Sequence, residues 1–208
     1  MSVRVKVCGI TRVEDALAAV QEGADAIGFV FWSESKRFVS PNKACEIVSK
    51  LPPFVSVVGV YVDPSPEWVE ETSATAGLNL LQFHGEESPE FCGQFMLPYI
   101  KALRVRGGMD LIQYGKLYQN SRGLLLDSYR AGMPGGTGQV FDWNLIPKDF
   151  PLPLVLSGGL DPDNVANAIK QTRPWAVDVS SGVEIAQGIK DMKKISAFMQ
   201  GVKNCEDL

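Results

Sequence analysis

Val3-Arg4-Val5-Lys6-Val7-Cys8-Gly9-Ile10-Thr11 stands at the start of the chain. Valines alternate with longer side chains, which is the period of a strand with two different faces, and the run ends on a thiol followed at once by residues that turn the chain. Val3, Val5 and Val7 share one face, which predicts contact with helices. Arg4, Lys6 and Cys8 share the other and are expected to point into a barrel. Past the middle, Leu124-Leu125-Leu126-Asp127-Ser128 has the same form and ends on a carboxyl. Cys8 and Asp127 are therefore read as reactive groups facing each other across one mouth.

Working outward, the same rhythm recurs. Strands are expected over Val3 to Cys8, Ala26 to Phe31, Val55 to Val62, Leu80 to Phe83, Tyr99 to Leu103, Gly123 to Leu126, Leu154 to Leu156 and Ala176 to Val179. Between them lie helical stretches. Thr11 is read as the cap of the first, which ends at Gly23, and Ser40-Pro41 and Ser88-Pro89 open others with proline in the first turn. Asp161-Pro162-Asp163 starts a helix through Lys170, and the last runs from about Lys190 to Val202. Eight such units in 208 residues leave about 26 residues each, close to the minimum for a strand-helix repeat. The expectation is an α/β fold, one closed (β/α)8 TIM barrel spanning 1–208 as a single domain, with an open doubly wound sheet as the alternative. The strand ends favour the barrel. An open sheet binds at one switch point, whereas here polar residues close nearly every strand.

Composition limits the partners. Lys plus Arg number 20 against 24 for Asp plus Glu, so the net charge of −4 offers no basic field for nucleic acid or an anionic membrane. No apolar run reaches the roughly 18 residues that span a bilayer, and a strand pattern begins within three residues of the N-terminus, so a cytoplasmic protein is expected. Cys8, Cys45, Cys92 and Cys205 lie far apart without metal-ligand spacing, and free thiols are expected. His84 is the only histidine, so a Ser-His-Asp or Cys-His machine would have to be built on it.

Ser157-Gly158-Gly159 and Ser180-Ser181-Gly182 follow the seventh and eighth strands and read together as a phosphate cradle. Glycine admits backbone N–H groups close to an anion, and serine adds hydroxyl donors. Cys8 is compatible with a small buried hydrophobe, but its place at a strand end near Arg37 suggests a lowered pKa. Asp127 ends the most apolar strand, so its carboxyl must be solvated, paired or functional, although capping the next loop is the plainer role. Arg37 is either an exposed cation or, flanked by Trp32 and Phe38, a partly buried partner for a carboxylate or phosphate. His84 reads first as a hydrogen-bonded structural residue. Asp63 and Arg104 suit an ion pair across the mouth. Gly132-Met133-Pro134-Gly135-Gly136-Thr137-Gly138 reads as a mobile loop. Phe54, after Pro52-Pro53, either enters the barrel or meets a partner subunit, and a monomer and a homodimer both fit.

Taken together, Lys6-Val7-Cys8-Gly9-Ile10-Thr11, Gly28-Phe29-Val30-Phe31, Ser35-Lys36-Arg37-Phe38-Val39-Ser40-Pro41, Leu81-Gln82-Phe83-His84-Gly85, Leu126-Asp127-Ser128, Gly135-Gly136-Thr137-Gly138, Phe141-Asp142-Trp143, Leu156-Ser157-Gly158-Gly159-Leu160 and Val177-Asp178-Val179-Ser180-Ser181-Gly182-Val183-Glu184 resemble the phosphoribosylanthranilate isomerase family of tryptophan biosynthesis. The resemblance covers essentially the whole chain. It implies an Amadori rearrangement of a phosphorylated small molecule without metal or organic cofactor. In that likeness Asp127 is the general acid at the furanose ring oxygen and Cys8 the general base at the ribose 2-carbon. Arg37 contacts the anthranilate carboxylate, Asp178 and His84 contact substrate, and the loop around Gly136 is a lid over the sugar. Gly158, Gly159, Ser180, Ser181 and Gly182 hold phosphate. Gln187-Gly188 departs from the proline-glycine the family often carries, which leaves the start of the last helix open.

Three other readings are weaker. The sister isomerase of histidine biosynthesis is expected to carry aspartate where Cys8 stands, and a second phosphate site. An indoleglycerol-phosphate synthase is expected to place lysines at the strand ends. A non-catalytic sugar-phosphate-binding barrel would keep the cradle without needing the acid and base.

Overall fold

The computed structural model describes residues 2–128 and 141–205. Eight parallel strands, β1 (Arg4–Cys8), β2 (Ala26–Val30), β3 (Ser56–Tyr61), β4 (Leu80–Phe83), β5 (Tyr99–Val105), β6 (Leu124–Ser128), β7 (Leu154–Leu156) and β8 (Ala176–Val179), follow one another round a closed barrel. Closure is made by β1 pairing with β8, which sets Lys6 directly opposite Asp178. The outer layer is α1 (Val13–Gln21), α2 (Pro41–Val48), α3 (Pro66–Ala76), α4 (Pro89–Gly93), α5 (Leu111–Leu117), α6 (Val165–Thr172) and α7 (Met192–Lys203). Between β8 and α7 a small hairpin, β9 (Glu184–Ala186) and β10 (Ile189–Lys190), turns at Gln187-Gly188. No helix among the described residues is long and apolar enough to cross a membrane.

Alternation along each strand divides the core in two. Val5, Val7, Ile27, Phe29, Leu124, Leu126, Val177 and Val179 face outward into the large cluster shared with the helices. The intervening residues turn inward: Ile100, Ala102, Leu125, Val155 and Ala176 fill the floor of the barrel, with Leu80 against them. Cys8, Val30 and Val60 form a smaller apolar group higher up. The floor is filled by apolar side chains, so the polar inward positions one or two steps further along the strands collect at the C-terminal mouth.

Serine-proline pairs start three helices as their sequence implies. The hydroxyls of Ser40, Ser65 and Ser88 accept from the backbone N–H of Lys43, Trp68 and Phe91 at 3.2, 3.3 and 3.2 Å. Each satisfies one of the donors a helix leaves unpaired at its N-terminus.

Several local expectations are corrected. Thr11 does not cap α1: Arg12 occupies that position without a side-chain bond, and the Thr11 hydroxyl donates to the Gly188 carbonyl. That contact holds the β9–β10 turn, which takes up the residues expected to begin the last helix, so α7 starts at Met192 behind its cap Asp191. α6 begins at Val165 because Asp161 spends its carboxylate on the N–H groups of Asp163 and Asn164. Between β6 and β7 the described residues hold only one 3-10 turn, Trp143–Leu145, in place of a full helix. Arg4 lies at the solvent edge bound to Asp25, below the barrel floor instead of inside it. Phe54 stands fully exposed and does not enter the barrel. The four cysteines are free.

Leu125 is fully buried in the floor layer with no helix able to collapse onto it. Leu125→Ala is expected to cost about 2–5 kcal/mol in equilibrium urea unfolding. A loss below about 1 kcal/mol would mean that the floor is not a packed layer.

Candidate active site

The mouth holds a cleft lined by inward residues of almost every strand and by the loops that follow them. Cys8, Arg37, His84, Asp127, Gly158, Gly159, Asp178, Ser180 and Ser181 all contribute to its wall. Gly182 does not. Its Cα lies against the Leu160 carbonyl, too close for any Cβ, so it lets the turn after β8 pack onto the loop after β7. Gly136 lies outside the described residues.

Asp127 sits at the inward end of β6 and is almost wholly buried. Its Oδ1 accepts from the Ser128 N–H at 2.7 Å, and its Oδ2 is 3.1 Å from His84 Nε2. The amide nitrogen of Gln82 is 3.1 Å from His84 Nδ1. If that amide donates, Nδ1 is the acceptor and Nε2 carries the hydrogen, which is directed at Asp127. The expected structural role of His84 is thus met in a specific way, as it orients the carboxyl. Gly158, at φ +84°, closes the other side. A Cβ there would stand 2.7 Å from Asp127 Oδ1 and would also press on the Ser128 backbone. This position needs glycine for its backbone angle and for its lack of bulk.

Cys8 ends β1 on the opposite side of the cleft. Its setting corrects the expectation of an acidic thiol: burial is the dominant influence and pushes its pKa up, although Lys6 and, more weakly, Lys190 pull it down. The sequence shows cations near the thiol but not the dry strand end that outweighs them. Lys6 points inward from the same strand, and its ammonium lies 2.8 Å from Asp178 Oδ1, both side chains 6% exposed. Ser157 Oγ reaches Asp178 Oδ2 at 3.3 Å.

Arg37, in the loop after β2, meets the expected kind of partner inside the chain. Its Nε and Nη2 donate to Glu184 Oε1 and Oε2, each at 2.7 Å, in a two-pronged fit. Glu184 Oε1 also accepts from Lys190 Nζ at 2.9 Å, and Lys190 reaches the carbonyls of Cys8 at 2.6 Å and Ser180 at 3.1 Å. One buried network thus joins the Arg37 loop, the end of β1 and the turn after β8. Burial would raise the Glu184 pKa, but Arg37 and Lys190 more than compensate and hold it below the usual carboxylate range.

The suggested Asp63–Arg104 pair is absent. Asp63 accepts from the Glu86 N–H at 2.7 Å, while Arg104 Nη2 donates to the His84 carbonyl at 3.1 Å. Behind that loop, Lys101 and Glu87 form a fully buried pair at 2.7 Å. Glu87 accepts from the N–H groups of Asp63 and Gly85, so the pair holds the turn that presents His84.

The sequence search missed Glu184, Lys190, the Lys6–Asp178 pair and Gln82. Two of these left a signal: Lys6 had already been placed on the inward face, where a lysine needs a buried partner, and Asp178 shared that face on β8. Glu184 stands 147 residues from Arg37, and no local pattern joins them.

A family model described as N-(5'phosphoribosyl)anthranilate (PRA) isomerase matches residues 5–201. The chain belongs to that isomerase family. It is 68% identical over 208 residues to the N-(5'-phosphoribosyl)anthranilate isomerase of Nitrosospira multiformis, covering all of both chains. It is 66% identical over 208 residues to that of Nitrosomonas europaea, covering 100% of this chain and 99% of that one. Among solved structures, the phosphoribosyl anthranilate isomerase of Thermotoga maritima superposes with a TM-score of 0.90 at 45% identity over 97% of this chain and 99% of that one. A crystal structure of a phosphoribosyl anthranilate isomerase in complex with reduced 1-(o-carboxyphenylamino)-1-deoxyribulose 5-phosphate superposes with a TM-score of 0.87 at 45% identity, with the same coverage.

The depressed Glu184 pKa sets a pH dependence in this isomerase fold. A carboxyl whose folded pKa lies below its unfolded value stabilises the fold above the unfolded pKa, and that contribution is lost as pH falls through the folded one. As pH falls below about 4.5 the melting temperature is therefore expected to fall more steeply for the native chain than for Glu184→Gln. The variant should also raise KM, because Arg37 loses one prong of its support. Parallel melting curves and an unchanged KM would remove Glu184 from this role.

Proposed function

We propose that this cleft isomerises N-(5-phosphoribosyl)anthranilate to 1-(2-carboxyphenylamino)-1-deoxyribulose 5-phosphate, the Amadori step of tryptophan biosynthesis, by acid–base catalysis. The observation that carries this reading is the convergence of Cys8 and Asp127, from strands three steps apart round the barrel, on one cleft with two glycine- and serine-rich loops at its edge. A ribose phosphate anchored by those loops places its ring between a thiol and a carboxyl.

In the proposed sequence the Asp127 carboxyl gives its proton to the furanose ring oxygen, the C1–O bond breaks, and the anilino nitrogen forms a Schiff base at C1. Cys8 thiolate then takes the proton from C2, and the electron pair of that C–H bond shifts to form an enolamine. Protonation at C1 and loss of the 2-hydroxyl proton give the ketone. Asp178, held by Lys6 and Ser157, is placed to hydrogen-bond the substrate near C2. Arg37 is the cation for the anthranilate carboxylate, kept extended by Glu184. The backbone N–H groups of Gly158, Gly159 and Ser181 and the Ser180 hydroxyl hold the phosphate, and Gly182 lets the two turns that carry them pack together. The chain is expected to act as one barrel domain in the cytoplasm, as a monomer or a homodimer.

Cys8 in place of aspartate at the end of β1 favours this substrate over the doubly phosphorylated one of the histidine pathway. Cys8→Ser and Asp127→Asn are each expected to lower turnover at least ~100-fold while product-analogue binding stays within about tenfold. Turnover is followed by the fluorescence loss of phosphoribosylanthranilate made in situ. Undiminished turnover in both variants would remove Cys8 and Asp127 from the roles of base and acid, and no turnover by the native chain would leave only a sugar-phosphate-binding barrel.

A further inference from the structure

Lys6 is a buried cation to which the proposed mechanism assigns no chemistry of its own. It stands two residues before Cys8 on β1, pointing inward, where it faces the strand registers of β2 and β8. Both flanking strands leave room for it in a particular way. On β8 the residue directly opposite is Asp178, which takes the ammonium at 2.8 Å. On β2 the residue paired with Cys8 is Gly28.

Gly28 is the informative neighbour. A Cβ built on it would lie 2.9 Å from Cys8 Sγ, 3.1 Å from Lys6 Cε and 3.2 Å from Lys6 Nζ. The thiol and the ammonium thus share the space left by one missing side chain, close enough for the ammonium's charge to act on the sulfur. Any other residue at this position would push them apart or out of line. Space alone explains the glycine, because its backbone angle is not among those that favour glycine.

We propose that Lys6 is the counter-ion of the Cys8 thiolate, held beside the sulfur by Asp178 and by the side-chain gap at Gly28, so that the base can carry negative charge at a largely buried strand end. The inference rests on Cys8 acting as the base, and it makes Lys6 a positioning residue that acts on the substrate only through Cys8.

The charges around the thiol fix the signs. Lys6 on the same strand stabilises the thiolate, Asp178 on β8 opposes it, and Lys190 on β10, bound to the Cys8 carbonyl, assists weakly. Arg37 approaches from the loop after β2, with its charge engaged by Glu184. β2 itself presents only Gly28 and Val30, and Asp127 faces from across the cleft. Asp178 therefore has two opposed effects: it holds Lys6 in place and partly cancels its charge. Lys6 is itself charged. Burial disfavours the ammonium, but the neighbouring negative groups outweigh that and raise its pKa.

The test is the pH dependence of Cys8 alkylation by iodoacetamide, read peptide by peptide by mass spectrometry, with exposed Cys45 as the internal reference. Asp178→Asn is expected to move the Cys8 profile to lower pH by about one unit, because an unopposed ammonium then faces the sulfur. Adding Lys6→Met in that background should move it back up, past the profile of the native chain. The double variant also avoids the uncompensated buried carboxylate that Lys6→Met alone would leave, and circular dichroism checks that both proteins fold. Opposite shifts support a charge on the thiol, since a merely structural contact would move both profiles the same way. Shifts in the same direction, or no shift in either variant, overturn the proposal. Alkylation does not depend on turnover, so a failure of Cys8 as the base, seen as undiminished turnover in Cys8→Ser, is a separate result.

Discussion

A closed parallel barrel admits only every second residue of each strand to its interior, and the organisation of this site follows from that restriction. The floor uses the inward positions for Leu80, Ile100, Ala102, Leu125, Val155 and Ala176, an apolar layer that offers a charge no partner. Polar inward residues are then confined to the upper turns of the strands, where Lys6, Cys8, Gln82, His84, Asp127 and Asp178 stand. A one-residue slip in β1 would exchange Cys8 and Lys6 for Val7 and Val5, and the site would lose both its base and the neighbouring cation.

Burial of these side chains has an electrostatic consequence. A buried charge needs a partner, and the partners here come in linked sets: Lys6 with Asp178, Lys190 and Arg37 with Glu184, and Lys101 with Glu87. Each set fixes a part of the site as well as neutralising its charge. The first orders the neighbourhood of Cys8, the second joins Arg37 to the turn after β8, and the third holds the turn that carries His84. The same burial makes Cys8 a weaker acid, so its use as a base depends on the cations around it.

Much of this was legible in the sequence, because period-two alternation fixes which side chains share a face. Cys8, Asp127 and Asp178 were expected at one mouth and line one cleft there. The serine-proline helix starts were equally readable, since the cap and the proline lie next to each other in the chain. What could not be read required distance or depth. Glu184 and Arg37 are joined only by the fold, and the acidity of Cys8 was misjudged because burial outweighs the cations that the sequence displays. Thr11 had the composition of a cap but spends its hydroxyl on Gly188, a residue 177 positions away.

The central claim, that a thiol and a carboxyl flank one ribose, is tested most directly by a crystal structure of this protein with reduced 1-(2-carboxyphenylamino)-1-deoxyribulose 5-phosphate bound. The account predicts the phosphate between the turns after β7 and β8, and the sugar carbons lying between Cys8 Sγ and the Asp127 carboxyl. A ligand whose sugar touches only one of the two groups, or whose phosphate lies away from Gly158 and Ser181, would contradict it.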